Sequence, residues 1–199
     1  MRTRSILLTF LVVLAISSLA VGADKYVFDI PHSSIGFSAR HLVISNTKGE
    51  FNDFTGTILF DEKDITKSSV EVIIKAGSID TDNEKRDNHL KSADFLEVEK
   101  YPEITFMSTR VKKTDNGYEL VGNLTIHGVT KEVSMPFTLT GPIEAFGSSR
   151  IGIEASLTIN RQDFGVKFNK VLEGGGLLVS NEVKISLEVE AVKAKDGTN

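Results

Sequence analysis

The sequence predicts an all-β protein of eight or nine antiparallel strands, closed as an up-and-down barrel or packed as a sandwich. Two observations lead to this fold class. Apolar and polar residues alternate over eight stretches of the chain, which gives each predicted strand one apolar face and one face toward water. Short turn sequences separate the stretches, among them Asp115-Asn116-Gly117 and His127-Gly128, which favour tight hairpins.

The first 23 residues are predicted to be a cleavable signal peptide and not part of the fold. Arg2 and Arg4 precede an apolar run over residues 6–16, and Val21-Gly22-Ala23 forms a small-x-small cleavage site. A retained membrane anchor is the alternative, but the apolar segment is short for a span. We therefore expect a single β domain over residues 24–199, secreted to the periplasm.

Eight stretches and one shorter candidate have the alternation of a half-buried strand. The predicted strands cover residues 34–41, 54–61, 69–77, 103–111, 118–126, 131–139, 150–160 and 181–193, and the shorter candidate covers 44–51. In the last stretch Val183, Ile185 and Leu187 share a face opposite charged residues. Pro136 lies inside one stretch and has no N–H for a ladder, so we expect a bulge or a local edge there.

One segment breaks the alternation. Residues 82–100 are rich in charge and contain few apolar side chains, chiefly Leu90, Phe95 and Leu96. Asp82 or Asn83 can cap a helix N-terminus. The segment therefore predicts a short helix or helical loop that closes one end of the β structure.

The composition limits the chemistry. The chain has no Cys, which excludes disulfides, thiolate metal ligands and a Cys nucleophile, and its net charge of -4 argues against nucleic-acid binding through overall charge. The four His residues lack the spacing of a metal site, so neither a metal nor another cofactor is expected. His41 differs from the other three because it falls on the apolar face of its predicted strand.

Phenylalanine accounts for 12 of the 15 aromatic residues, and many of these fall on the apolar faces. An eight-stranded barrel is wide enough either to fill with side chains or to hold one small ligand. Small residues at inward positions would leave space inside, namely Gly56, Gly122, Ala39, Ala76 and Ala155. The alternation by itself leaves both a cavity and a filled core open.

Several ordered motifs resemble the YceI-like family. They comprise Asp29-Ile-Pro-His-Ser33, the pattern SIxTxNxxRDxHLxSxDF over residues 78–95, GxLTIHGVTK over residues 122–131, and RxxFG over residues 161–165. The resemblance extends from residue 26 to about residue 192. The chain departs from the family at Tyr26, where Trp is usual.

The resemblance implies an eight-stranded, antiparallel, lipocalin-like β-barrel in the periplasm that forms a homodimer. It also implies a non-catalytic protein that holds a long-chain polyisoprenoid or a related lipid, such as a quinone or a fatty amide, inside the barrel. We expect the ligand to contact apolar inward positions, with polar groups at the mouth near its head group. The apolar candidates are Phe37, Phe51, Phe54, Ile58, Phe60, Leu90, Phe95, Ile104, Phe106 and Phe137; the polar ones are His41, Arg86, His89 and Arg161.

Three alternatives remain open at this point. Arg86, Asp87 and His89 could pin the helical loop to the barrel rim instead of meeting a ligand. The protein could be an enzyme on a lipid-like substrate, with His41 or His89 as the base. It could also be a stress-related module that binds partners through its β surface.

Overall fold

A computed structural model of the protein describes residues 22–172 and 176–195. Of the predicted signal peptide only Gly22 and Ala23 fall within these residues. The strands are β1 Asp24–Phe28, β2 Ser34–His41, β3 Ser45–Phe51, β4 Phe54–Phe60, β5 Ser69–Lys75, β6 Ile79–Asp80, β7 Glu103–Thr114, β8 Gly117–Ile126, β9 Val129–Ala145, β10 Ser148–Asn160, β11 Val171–Leu172, β12 Gly176–Leu177 and β13 Val179–Lys193. The helix α1, Glu84–Lys91, lies between β6 and β7.

The strands close into an eight-stranded antiparallel barrel. The order around it is β1, β4, β5, β7, β8, β9, β10 and β13, and β13 pairs back with β1. The long strand β13 pairs with two strands on the same edge, with β2 over residues 179–188 and with β1 over residues 191–193. β3 pairs with β2, and β6 pairs with β3, so these three strands enlarge the sheet at that edge. The predicted barrel is therefore confirmed, and the sandwich alternative is wrong.

All nine predicted stretches form strands. β9 is longer than predicted, and β1 was missed because its five residues are too few to show a periodicity. Pro136 pairs with Glu119 of β8, while the pairing of β9 with β10 ends at Phe137 opposite Ala155. Pro136 therefore begins the part of β9 that has no β10 neighbour, which confirms the predicted local edge.

The charged segment forms α1 and the turns that follow it. Asn83 caps the helix, since its side chain accepts a hydrogen bond from the N–H of Arg86. The helix ends at Lys91, and Ser92 lies in extended backbone. Helix and turns lie over one end of the barrel, here called the upper end, which also carries the β2–β3 turn (42–44) and residues 161–172 and 176–178. The lower end carries the β9–β10 turn (146–147) and the connection 61–68.

The lower end is tightly packed. Tyr26, Phe60 and Ile151 are buried there, and the rings of Tyr26 and Phe60 meet edge to face at 5.7 Å between centroids. The Tyr26 hydroxyl donates to Ser149 Oγ at 3.2 Å. Tyr26 thus fills this end with an apolar ring whose buried hydroxyl has a hydrogen-bond partner.

An ion-pair cluster beside this core ties the residue that follows β1 to β10 and β13. Arg150 Nη1 donates to Asp29 Oδ2 at 2.8 Å and to the carboxylate of Glu190. His32 Nδ1 lies 3.2 Å from Asp29 Oδ2. The hydrogen bond from Arg150 is the main reason that the pKa of Asp29 lies below its ordinary value.

This cluster predicts an acid-sensitive contribution to stability. Because the pKa of Asp29 is lower in the folded protein, its contribution is complete above the ordinary Asp pKa and is lost as the pH falls through the lowered value. The free energy of unfolding of Asp29→Asn should therefore fall less steeply than that of the wild type below about pH 4. Urea titrations at several acidic pH values measure this. Asp115→Asn, in an exposed turn, should keep the wild-type slope; equal slopes for both variants would contradict the assignment.

Candidate functional site

The barrel encloses an elongated cavity of about 240 Å³. No polar atom of the described residues is exposed on its surface. Its lining runs from Phe60 and Ile151 near the lower end to Phe95 and Val166 at the upper end. Such a cavity offers no hydrogen bond to a solute and excludes polar molecules by the cost of their desolvation. It is suited to a long apolar chain.

Ten of the predicted ligand-binding residues line this cavity. They are Phe37, Phe51, Ile58, Phe60, Leu90, Phe95, Ile104, Phe106, Phe137 and Arg161. They come from five strands, from α1 and its following turn, and from the segment after β10. The alternation of the strands therefore brings together side chains that are far apart in the sequence.

The other four predicted residues lie outside the cavity lining. Phe54 is buried in the hydrophobic core. His41 is half-buried at the upper end of β2, where it pairs with Val179. Arg86 and His89 lie on α1 and are exposed to solvent. The two His side chains are therefore not on the cavity surface, where a catalytic base would have to act on an enclosed lipid.

Two of the small inward residues have a different role from the expected one. A Cβ atom on Gly56 would lie 2.3 Å from the ring of Phe28, and one on Gly122 would lie 2.5 Å from Cζ of Phe106. These glycines make room for aromatic rings, so they do not leave space for a ligand. Ala39 and Ala155 do line the cavity. Ala76 is fully buried and lies outside the lining.

The motif around α1 holds the helix on the barrel. The buried carboxylate of Asp87 accepts hydrogen bonds from the N–H of Thr81, at 3.0 Å, and from its hydroxyl. Arg86 donates from Nε to Thr81 Oγ1 and from Nη2 to the Thr81 carbonyl, both at 2.7 Å. Thr81 is thus held by two adjacent residues of α1. These contacts support the alternative in which the motif pins the helical loop to the rim.

His89 completes this closure. Its Nε2 lies 2.7 Å from Asp94 Oδ2. Its ring packs edge to face against the rings of Phe95 and Phe168, each at 5.0 Å between centroids. Leu90 and Phe95 from the same segment point to the cavity. The charged motif therefore positions an apolar plug at the upper end.

Removal of the Thr81 hydroxyl should loosen this plug locally. Thr81→Val leaves buried Asp87 with one donor fewer, which costs about 1–2 kcal/mol. We expect faster amide hydrogen exchange over residues 84–98, with little change in the strands of the barrel. Thr130→Val is the matched control, because it removes an exposed hydroxyl that pairs only with Thr125. Equal exchange in α1 for both variants would show that Thr81 does not anchor the helix.

Arg161 is the one charged residue of the described lining, yet its polar atoms point away from the cavity. Its side chain is 5% exposed. It donates from Nε to the Ser180 carbonyl at 2.9 Å, from Nη1 to the Val166 carbonyl at 2.8 Å, and from Nη2 to Asn181 Oδ1 at 3.2 Å. Burial lowers its pKa. Arg161 therefore ties the segment after β10 to β13, and its aliphatic stem contacts the cavity.

Sequence reasoning missed other lining residues. Many lie on alternate positions of predicted strands and could have been found from the same periodicity: Ile35, Leu120, Met135, Ile151, Val183 and Ile185. Val111 could not, because it faces the cavity only after the register shift between Ser108 and Arg110. Phe164 and Val166 could not, because they lie in an irregular segment with no period. Phe28 was missed together with β1.

One group of side chains has the spacing of metal ligands. Ligand atoms of Asp29, His32 and Glu190 all lie within 4.8 Å of one another. Arg150 donates to both carboxylates of this group, so its charge already compensates theirs. The group is accordingly an ion-pair cluster of the lower end.

Within the described part of the chain, none of the helices combines the length and the apolar character that a membrane span needs.

The fold and the cavity define a class of protein, an antiparallel β-barrel with an apolar interior. Comparison with known proteins identifies the family within this class. Residues 26–191 match the YceI-like domain family. A UPF0312 protein of Yersinia enterocolitica is 44% identical over 165 residues, which cover 82% of this chain and 83% of the relative. The chain therefore belongs to the YceI-like family, as its motifs indicate.

Solved structures agree with this assignment. The YceI protein of Campylobacter jejuni is 33% identical and superposes with a TM-score of 0.68 over 78% of this chain and 90% of its own. A polyisoprenoid binding domain from Saccharophagus degradans is 16% identical, with a TM-score of 0.63 over 85% of this chain and 98% of its own. At that identity the second likeness shows the shared fold.

Proposed function

We propose that this protein is a periplasmic carrier that holds one long-chain polyisoprenoid or related lipid, such as a quinone or a fatty amide, without catalysis. The observation that carries the proposal is the elongated cavity with its wholly apolar surface. The name of the Saccharophagus degradans domain points to the same class of ligand. The predicted signal peptide supports the periplasmic location, and the family resemblance supports a homodimer.

The energetics favour a chain of moderate length. Each methylene transferred from water to an apolar site contributes about 0.8 kcal/mol. About fifteen buried methylenes are therefore needed for roughly micromolar binding, because micromolar affinity corresponds to about 8 kcal/mol and association costs at least about 4 kcal/mol. Because the surface offers shape and no hydrogen bonds, we expect discrimination by chain length and thickness more than by chemistry.

A chain-length series tests the proposal. Lipid-free protein is incubated with prenyl alcohols of increasing length, separated from free lipid by gel filtration, and its lipid content is measured by mass spectrometry. We expect one lipid per barrel, with affinity that rises with length and then levels off once the cavity is full. No uptake at any length, or uptake that grows without a plateau, would contradict an internal site.

The enzymatic alternative has a separate test. His41→Ala and His89→Ala should leave the chemical identity of the recovered lipid unchanged, because both side chains lie outside the lining. Conversion of the bound lipid by the wild type, abolished in either variant, would reverse this conclusion.

A further inference from the structure

The β2–β3 turn has a geometry that its residues do not favour. The N–H of Ile44 donates to the carbonyl of His41 at 3.1 Å, which closes a β-turn with Leu42 and Val43 at its centre. The whole loop has three residues, because His41 pairs with Ser45. Both central residues have a positive φ, +51° for Leu42 and +64° for Val43. Positive φ at both central residues is the pattern of a type I′ turn, for which Asn-Gly is the favoured sequence. A β-branched residue such as Val43 is strained there.

Two other turns of the molecule also have a positive φ at both central residues. The β8–β9 turn has φ +52° at His127 and +72° at Gly128. The β9–β10 turn has +53° at Phe146 and +74° at Gly147. In both turns glycine occupies the second central position, where Val43 stands in the β2–β3 turn. Glycine would suit position 43 better than valine, so the formation of the turn does not explain why valine is there.

The same turn is apolar and exposed. Val43 is 63% and Ile44 is 80% exposed to solvent. A second exposed apolar residue, Val171 at 71%, lies close by, because Leu42 N–H donates to the Leu178 carbonyl and Leu178 N–H donates to the Lys170 carbonyl. We call Leu42, Val43, Ile44 and Val171 the apolar tip. Backbone strain and exposed apolar surface coincide here, and such coincidence marks functional segments.

Four Lys or Arg residues flank the apolar tip in the sequence. Residues 40–48 and 164–172 contain four Lys or Arg residues and no Asp or Glu, although the whole chain has a net charge of -4. The four cations are Arg40, Lys48, Lys167 and Lys170, and none makes an ion pair within the described part of the chain. Glu50 and Glu182 are acidic residues on the adjoining strand positions, and Asp163 and Glu173 flank the second segment in the sequence. Apolar residues flanked by cations without ion pairs match the interface of an anionic bilayer.

The apolar tip also lies at the end of the cavity. His41, which precedes the turn, pairs in register with Val179. Val179 and Ala39 both line the cavity. A surface that rests on the tip would therefore face the upper end of the apolar interior.

We propose that the apolar tip is a membrane-contact surface that seats the upper end of the cavity on an anionic phospholipid bilayer. The inference rests on the proposed lipid-binding function, since it supplies the path by which a lipid would pass between bilayer and cavity. The aliphatic side chains would enter the headgroup region, and the flanking cations would meet lipid phosphates.

Vesicle flotation of the secreted, processed protein tests the inference. The vesicles consist of phosphatidylcholine alone or of equal parts of phosphatidylcholine and phosphatidylglycerol. We expect binding to the mixed vesicles, weaker binding to phosphatidylcholine alone, and a loss of binding with added salt. The variant Leu42→Asn/Val43→Gly removes the apolar side chains and installs the favoured turn sequence. Its vesicle affinity should fall about tenfold or more while its thermal stability rises.

Phe146→Asn is the matched control. It also creates an Asn-Gly turn and removes an apolar side chain that is 97% exposed, but at the lower end of the barrel. Its vesicle affinity should equal that of the wild type. Equal loss in both variants, or no loss in the tip variant, would overturn the inference. So would a tip variant that turns a dimer into a monomer in sedimentation with unchanged vesicle binding, because the tip would then bind a second copy.

The lipid content of the same samples separates the two proposals. Barrels that hold lipid but do not bind vesicles would overturn the membrane contact and leave the carrier function standing. Barrels that bind vesicles through the tip but never hold lipid would overturn the carrier function and leave the membrane contact standing.

Discussion

Ala155→Phe is expected to abolish tight lipid binding and to leave the barrel folded. Ala155 lies midway along β10, between Phe137 of β9 and Leu187 of β13, and it faces the cavity. A phenyl ring at this position would occupy the space of at least four chain carbons. At about 0.8 kcal/mol for each, the affinity should fall more than a hundredfold. The ring enters an existing space, so the free energy of unfolding should change by no more than about 1–2 kcal/mol.

The neighbouring residue provides the control. Ser156 is exposed and points to the opposite face of the same strand. Ser156→Phe adds the same side chain without entering the cavity, and its lipid affinity should match that of the wild type. Isothermal titration with a prenyl lipid, together with urea denaturation, gives both quantities. If Ala155→Phe binds as tightly as the wild type, the lipid does not occupy this part of the cavity.

The second large effect is expected from Arg161→Met. Methionine preserves the apolar stem but leaves the Ser180 carbonyl, the Val166 carbonyl and Asn181 Oδ1 without their donor. Each unpaired buried acceptor costs about 1–3 kcal/mol, and the relief of burying a charge offsets part of the total. We expect a net loss of about 2–4 kcal/mol in the free energy of unfolding. Proteolysis should also cut more readily in residues 161–172.

Arg40→Met tests whether burial causes this effect. Arg40 is an exposed arginine at the same end of the barrel, and its guanidinium makes no ion pair within the described residues. Its loss should change the free energy of unfolding by less than about 0.5 kcal/mol. If the two variants lose equal stability, the hydrogen bonds of Arg161 contribute nothing beyond an exposed charge. The result bears on function too, since Arg161 shapes the upper end of the cavity.

The strands were predictable because one physical rule governs them. A wall with water outside and apolar space inside imposes a period of two, and each long strand repeats it often enough to be read, as in Ile153, Ala155 and Leu157. The same rule places Phe37 and Phe106 inside. It fails for β1, which is too short, and for Phe164 and Val166, whose positions depend on how an irregular segment folds back over the barrel.

Other features depend on volumes and directions that a periodicity does not contain. Whether the interior is filled depends on how the rings pack, and Phe28 and Phe106 occupy the spaces that Gly56 and Gly122 leave. The roles of the arginines depend on where each guanidinium points. Arg161 turns its donors to backbone carbonyls and Arg86 to Thr81, although both had been expected to meet a ligand head group.

The most direct test of the central claim is native mass spectrometry of the protein after secretion and purification without detergent. A lipid in the cavity should appear as one additional mass per barrel that disappears on denaturation, and organic extraction should identify it as a prenyl or acyl chain. A protein of unmodified mass that also fails to take up prenyl lipids would contradict the claim that this cavity is a lipid-binding site.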